Sequence, residues 1–386
     1  MNRLKQERYP YPFLMLYALT YMTNAIFGTF MPVYLNRIGF SRSMTGSLLA
    51  IGPLIAVVSQ PIWGFAGDRA PSKNLILKVL LVGAAAAVLL FPLSTSWIWL
   101  LVIFAAFTLF QSSVNPMSDA ITLEYLESRR WQFGPIRLAG TIGYAVMSLL
   151  AGRLVEWNIR IIFPLYSLMA LIGFVVVFRI PGIHSQHKLK RKIAPWLLFK
   201  NKPVMLLIAF SFIIQITLGF YYSFFAIHFT NLGGTSSQLG LAMLITAASE
   251  IPFLLLADKI IRKFGIPLTL VLSAWIISLR WLLLHFVTNL SWIVVINAMH
   301  GLSFIVFQFC LAVFISKNVP DELKASGQTL NALLSMGLAR LIGSMVGGML
   351  SDQVGIQQMF LWTSLLGFAA AVVFGTIFLR LDRKAR

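Results

Sequence analysis

Five ionisable residues stand inside apolar runs where a charge is costly to keep. Asp119 lies toward the end of the run that opens at Trp97, and Arg137 lies near the start of the next, which closes at Leu154. Farther along, Glu250 falls within ITAASEIPF, Arg280 within SAWIISLRW and His300 within NAMHGLSF. A charge in hydrocarbon costs about 2.5–3.5 kcal/mol on insertion scales, so an acid there is expected to pair, to face water or to carry a proton. The chemistry these residue types suggest is reversible protonation of a carboxylate beside fixed cations.

Depth along each helix decides which of them can meet. Glu250 is about 12 residues from the outer end of its span, or ~18 Å at 1.5 Å per residue. Arg280 is ~22 Å in from the opposite side, and His300 is ~15 Å into the next span. The three are therefore expected to converge near the midplane, with Glu250 as proton carrier or as the ion-pair partner of Arg280. Asp119 and Arg137, on adjacent antiparallel spans joined by the polar turn 127–134, are expected at a common depth as a recognition pair. Counted by length alone, Asp119 also fits the headgroup region, where a charge needs no partner.

The elements that must position these groups are membrane helices. Of 386 residues, 58% are hydrophobic and 11% charged, with a mean hydropathy of +0.83, whereas soluble domains carry about 25% charge. About 20 apolar residues make a span, and twelve segments qualify: roughly 11–35, 44–66, 74–93, 97–123, 135–157, 160–180, 203–229, 238–257, 266–287, 291–316, 323–350 and 356–380. The first is too long for a signal-peptide core and has no A-x-A site, so it is read as a retained helix. A net charge of +19 would point to nucleic acid in a soluble protein. Here its placement excludes that partner, because Arg37, Arg42, Arg153 and Arg160 fall on one side, Arg137, Arg280 and Arg340 fall within spans, and the remaining 24 of 31 Lys and Arg lie on the other side. That bias predicts both termini in the cytoplasm of a bacterial inner membrane.

The basic segment 181–202, PGIHSQHKLKRKIAPWLLFKNK, divides the spans six and six. It predicts an N-terminal half over 1–180, a cytoplasmic linker resting on headgroups over 181–202, and a C-terminal half over 203–386. A repeat supports the division: GFAGDR after span two and LLLADK after span eight each place an acid and then a cation at a helix end. Asp68, Arg69 and Asp258 are accordingly expected to act in gating, from short loops, and not to touch a solute. Duplicated six-helix halves generally enclose a site at the midplane.

Gln60-Pro61-Ile62-Trp63-Gly64, with Gly67-Asp68-Arg69 and Lys73 after it, resembles the loop-2/3 signature of the major facilitator superfamily, with Pro71 where a Gly is usual. The run Asn115-Pro116-Met117-Ser118-Asp119-Ala120, then Phe133-Gly134, Arg137, Gly140-Thr141 and Gly143, is similar to the helix-4/5 pattern of its branch of lactose-permease-like, nucleoside and phenylpropionate proton symporters. Within it, Ser278-Leu279-Arg280 and Met299-His300 resemble the helix-9 arginine and helix-10 histidine of lactose permease. Ser303 stands where that permease has a carboxylate. The resemblance implies twelve helices in two pseudo-symmetric halves, an all-α membrane fold, and a transporter working by alternating access.

The expectation is thus a monomeric secondary transporter for proton-coupled import of a small polar solute such as a sugar, nucleoside or aromatic acid. A proton-driven exporter and a non-transporting receptor are the alternatives; the first usually has a proline in mid helix five, absent from Gly140-Thr141-Ile142-Gly143-Tyr144, and the second a large soluble domain. Its partners are the solute and the bilayer, its coupling ion H⁺, with no cofactor and no metal. Asn24, Gln215, Tyr222, Gln308 and Arg340 are further candidates for the cavity wall, as are Tyr21, Tyr221 and Asn331. The glycines of 140–152 and 343–348 fit close helix packing. Walker A, HExxH and nucleophile-elbow motifs are absent from the sequence, so no enzymatic reading is supported.

Overall fold

The computed structural model describes residues 10–127, 129, 131–182, 195–320 and 323–385, and among these no strand forms. The long helices are α1 (Tyr11–Arg37), α2 (Arg42–Arg69), α3 (Lys73–Leu93), α4 (Trp97–Leu126), α5 (Phe133–Trp157), α6 (Ile159–Val177) and α7 (Lys202–Asn231). After them come α8 (Ser236–Phe264), then α9 (Ile266–Phe286), α10 (Leu290–Asn318), α11 (Ser326–Val354) and α12 (Ile356–Phe378). Eleven are long and apolar enough to cross a membrane, and α8, at 29 residues, is as long as the others. Such helices satisfy every backbone polar group without water.

The chain runs up and down, so α1 begins and α12 ends on one face, the terminal face. The opposite face carries tight turns that begin with glycines in the left-handed region, Gly39 at φ 91° and Gly233 at φ 89°, and hydroxyl caps restart the chain. Ser41 Oγ accepts the amide of Met44, and Thr235 forms a reciprocal capping box with Gln238. Such caps satisfy amides that a helix start leaves orphaned. Helices α1–α6 and α7–α12 form two halves, which meet where α1 packs on α7, α2 on α11 and α5 on α8.

Two departures from the sequence expectation are local. Helices α2 and α8 run on to Arg69 and Phe264, so Asp68, Arg69 and Asp258 occupy final helical turns and not loops. Continuing the helix keeps the backbone paired to its end. The segment 181–202 is outside the described residues over 183–194. Its end, Pro195–Lys200, is a 3₁₀ turn that buries Leu198 in the core of the C-terminal half.

Helix α4 is broken at Ser112 and Ser113. Pro116 has no N–H to give the carbonyl four residues back, and the Gln60 side-chain amide donates to that Ser112 oxygen at 3.1 Å. Trp63 Nε1 and Ser59 Oγ both donate to Leu109 O, at 2.8 and 2.6 Å. The Gln60-to-Gly64 motif thus braces the bend that precedes Asp119. Wide π-helical turns interrupt α10 at Gly301–Ile305 and α11 at Ala332–Ala339, and each adjoins an ionisable residue, His300 or Arg340. Such turns are frequent at functional sites.

Candidate functional site

Between the halves lies a cavity of about 380 Å³, walled by α1 and α5 on one side and by α7, α8 and α10 on the other. Its apolar surface is mainly aromatic: Tyr21, Tyr144, Tyr222, Phe225 and Phe304. Asn24, Thr29, Thr141 and Thr246 supply polar groups, and Arg137, Glu250 and His300 the ionisable ones.

Three of the sequence-selected residues form a continuous chain in the C-terminal half. Glu250 Oε1 lies 3.4 Å from His300 Nε2. On the other side of the ring, Arg280 Nη1 is 3.1 Å from His300 Nδ1 and 3.3 Å from Ser303 Oγ. A guanidinium can only donate, so Nδ1 must accept, and the proton of the neutral imidazole belongs on Nε2, facing the carboxylate. Of the two readings of Glu250, the direct ion pair with Arg280 is not made: a neutral histidine is inserted between acid and cation. Arg280 is fully buried, off the cavity wall, and its guanidinium lies 5.2 Å from the Tyr221 ring and 5.0 Å from Trp281. Those ring faces are its cation–π support; its Nε and Nη2 have no hydrogen-bond partner among the described residues.

Local backbone contacts fix this chain. The amide of Gly301, at the start of the π-helical turn, donates to Ser249 Oγ at 3.0 Å. A Cβ at Gly301 would fall 2.0 Å from the Ser249 carbonyl oxygen. The residue after His300 is thus held directly on the residue before Glu250.

In the N-terminal half, Asp119 and Arg137 make no ion pair with each other. The Tyr17 hydroxyl donates to Asp119 Oδ1 at 2.5 Å, the Tyr17 ring stacks on Tyr21 at 6.4 Å, and the Arg137 guanidinium lies 4.2 Å above the Tyr21 ring. The expected recognition pair is therefore two groups joined through stacked tyrosines, of which only Arg137 reaches the cavity. The bend in α4 turns Asp119 toward α1.

Among the weaker candidates, Asn24 and Tyr222 line the cavity, with Asn24 Oδ1 accepting from Gln111 Nε2 at 3.1 Å. Gln215, Gln308 and Arg340 do not. Arg340 Nε donates to Gln215 Oε1 at 2.9 Å, and its guanidinium lies 4.9 Å from the Tyr222 ring, one ring behind the wall. At the terminal face Asp68 is exposed and borders a small cavity of about 120 Å³ shared with Gln60 and Lys73. Lys73 Nζ pairs with Glu124 at 2.6 Å, and Arg69 lies 3.7 Å over the Phe65 ring. The Asp258 side chain is outside the described residues. Sequence reasoning missed Tyr17, Ser249, Gly301 and the threonines of the wall, because single hydroxyls and glycines recur throughout the helices.

Comparison with known proteins places this arrangement. Residues 13–362 match the family model described as the MFS_1 like family. The maltose permease of Geobacillus stearothermophilus is 27% identical over 354 residues, covering 90% of each chain. A protein of Escherichia coli K12 named "Probable 3-phenylpropionic acid transporter" is 24% identical over 347 residues, covering 88% of this chain and 90% of the other. Among solved structures, a mutant form of nucleoside transporter NupG superposes with a TM-score of 0.85 at 18% identity, covering 95% of this chain and 99% of that one. Twelve helices in two halves around a central cavity, with a family match over most of their length, lead to one conclusion: this chain belongs to the MFS_1 like family and is a multi-pass transporter of the major facilitator superfamily.

Proposed function

We propose that this chain imports a small polar organic solute together with protons across a bacterial inner membrane, with its terminal face in the cytoplasm. The observation that carries this reading is the Glu250–His300–Arg280 chain, which hangs a titratable carboxylate on the cavity wall and backs it with a fixed cation one imidazole away. Glu250 carries the proton. In its charged form it accepts from His300 Nε2; once protonated it no longer needs that donor, and the α8–α10 contact loosens as solute and proton are held together. The protein acts as a monomer in the bilayer, with no bound cofactor and H⁺ as the coupling ion.

A sugar is the leading solute. Flat aromatic faces beside threonine hydroxyls suit a ring that is apolar on its faces and hydroxylated at its edge, and the relative with 27% identity is named as a maltose permease. A cavity of about 380 Å³ is at the small end of the ~300–1,000 Å³ range of ligand pockets. An aromatic acid is the second reading, favoured by Arg137, whose charge on the wall is not spent on Asp119.

The test is a melting screen of purified protein against maltose, other di- and monosaccharides, nucleosides and 3-phenylpropionate. A bound solute at 100 times its Kd stabilises the fold by about 2.7 kcal/mol. The hit is then followed in proteoliposomes, where an inward proton gradient should drive accumulation. Uptake that is indifferent to the gradient would overturn the coupling.

A further inference from the structure

Between described residues, the hydrogen bonds that cross from one half to the other lie at the face opposite the termini, and two of their acceptors occupy matching places. Asp352, near the C-terminal end of α11, accepts the amide of Arg42 on Oδ1 at 3.0 Å and the amide of Ser43 on Oδ2 at 2.9 Å. The Ser43 hydroxyl donates to the same Oδ2. Glu156, near the C-terminal end of α5, accepts the amide of Ser237 on Oε1 at 3.1 Å. Each acid thus binds the first turn of a helix in the other half, α2 for Asp352 and α8 for Glu156.

The backbone beneath the two acids repeats the match. A Cβ on Gly348 would fall 2.5 Å from the Arg42 carbonyl oxygen, and one on Gly152 would fall 2.6 Å from that of Ser236. One turn deeper, Gly46 meets Ser344 O at 2.2 Å and Gly240 meets Ser148 O at 2.3 Å, measured in the same way. Ser148, Gly152 and Glu156 stand 196 residues before Ser344, Gly348 and Asp352, while Ser41, Ser43 and Gly46 stand 194 before Thr235, Ser237 and Gly240. The duplication therefore preserves the seam itself: an acid and a glycine at i and i−4 on one helix, and a hydroxyl cap with a glycine five residues on from it on the other.

Position on the helix gives the acids their meaning. The C-terminal end of a helix carries partial negative charge, so a carboxylate there gains nothing from its own helix, whereas the N-terminus it meets across the seam is positive and rich in unsatisfied amides. The hydrogen bonds that hold both acids come from across the halves and last only while this face is closed, with Arg153, one turn earlier on its own helix, a lesser support for Glu156. We propose that Asp352 and Glu156 are a matched pair of gating residues that hold the closed face shut by capping α2 and α8 of the opposite half. When the halves rock apart, both caps are lost together and water takes the amides. Arg42, whose Nη1 donates to Ser351 O at 2.7 Å, and Arg37, whose Nη2 donates to Ser236 Oγ at 3.2 Å, add a cation to each seam.

The proposal rests on the transporter fold and not on which solute or ion is moved, and its test uses neither. Ser148 is fully buried in the α5–α8 seam, so Ser148→Cys in a Cys310→Ser background reacts with a maleimide dye in detergent only when that face opens. Removing the acid of the other seam, Asp352→Ala, should speed this reaction about fivefold, Glu156→Ala should do the same, and the double variant should reach about 25-fold, since independent stabilisations of one closed state multiply. Ser43→Ala, which keeps the acid and removes only a hydroxyl, should give about twofold, and Asp352→Glu should restore the slow rate. If Asp352→Ala melts as the parent does and leaves the Ser148→Cys rate unchanged, the acids are local caps and the gate is refuted. If Asp352→Ala fails to fold, the Ser43→Ala rate and its product with Glu156→Ala decide in its place.

Discussion

Arg280 Nη1 sits 3.1 Å from His300 Nδ1 in a fully buried site, so the charge of the arginine fixes which nitrogen of the histidine is bare. The imidazole serves as a spacer that turns one end to a permanent donor and offers its proton to Glu250 at the other. Glutamine can imitate both ends, with its carbonyl toward Arg280 and its amide toward Glu250; leucine can imitate neither. His300→Leu is therefore expected to lose ~1–3 kcal/mol relative to His300→Gln, the cost of leaving a buried donor unpaired. Melting curves of the two purified variants measure the difference. Equal stability would mean that the bond to Arg280 is not made.

Gly301 is where α10 touches α8 most closely. An added methyl would meet the Ser249 carbonyl oxygen at 2.0 Å, which a packed helix pair relieves only by moving apart. Gly301→Ala is expected to cost ~1–3 kcal/mol in stability, as overpacking generally does. It should also lengthen the 3.4 Å approach of Glu250 to His300, so the pH profile of uptake should shift while Gly134→Ala, away from the cavity and with nothing within 4 Å of its added Cβ, leaves it in place. An unshifted profile in Gly301→Ala would detach this contact from coupling.

Asp119 is hydrogen-bonded by Tyr17, whose ring stacks on the cavity residue Tyr21. Tyr17→Phe removes the hydroxyl and leaves the stacked rings. The expected result is a loss of ~1–3 kcal/mol in stability from the unpaired carboxylate, together with normal solute affinity, because no atom of Tyr17 lies on the wall. Isothermal titration with the solute found in the melting screen, run beside a denaturation curve, checks both halves of this statement.

Hydropathy made the twelve helices legible, because a span must be long and apolar whatever it does. Glu250, Arg280 and His300 were legible as a group since each is costly at midplane depth and length alone puts them at one level. The ordering within the group was not, because the π-helical turn at Gly301–Ile305 decides which way His300 faces. Asp119 shows the same limit: counting along the helix does not foresee the break at Ser112 and Ser113, which sets its direction. The seam repeat of Ser148, Gly152 and Glu156 with Ser344, Gly348 and Asp352 was hidden for another reason. Three positions at four-residue spacing are common in any membrane helix, and only the approach of the two halves shows what they share.

The remaining expectation separates the proton carrier from the residues that shape the site. Glu250 is on the cavity wall and within reach of a histidine that can only donate to it, so its proton is the one that can pass between the cavity and the chain behind it. Glu250→Gln keeps the volume of the side chain and an acceptor for His300 Nε2, but it cannot take up or release a proton. Accumulation against a gradient should then stop, while exchange of solute across the membrane continues at a rate within about tenfold of the parent, the equivalent of ~1.4 kcal/mol. Asp119→Asn is expected to behave differently from an acid in direct contact with solute. Asp119 stands behind the wall against Tyr17, with Arg137 and Tyr21 between it and the cavity, so exchange and accumulation should fall together and by a smaller factor. Active uptake and counterflow, measured on both variants in proteoliposomes, tell the two roles apart: continued proton-driven accumulation by Glu250→Gln would move the carrier to Asp119.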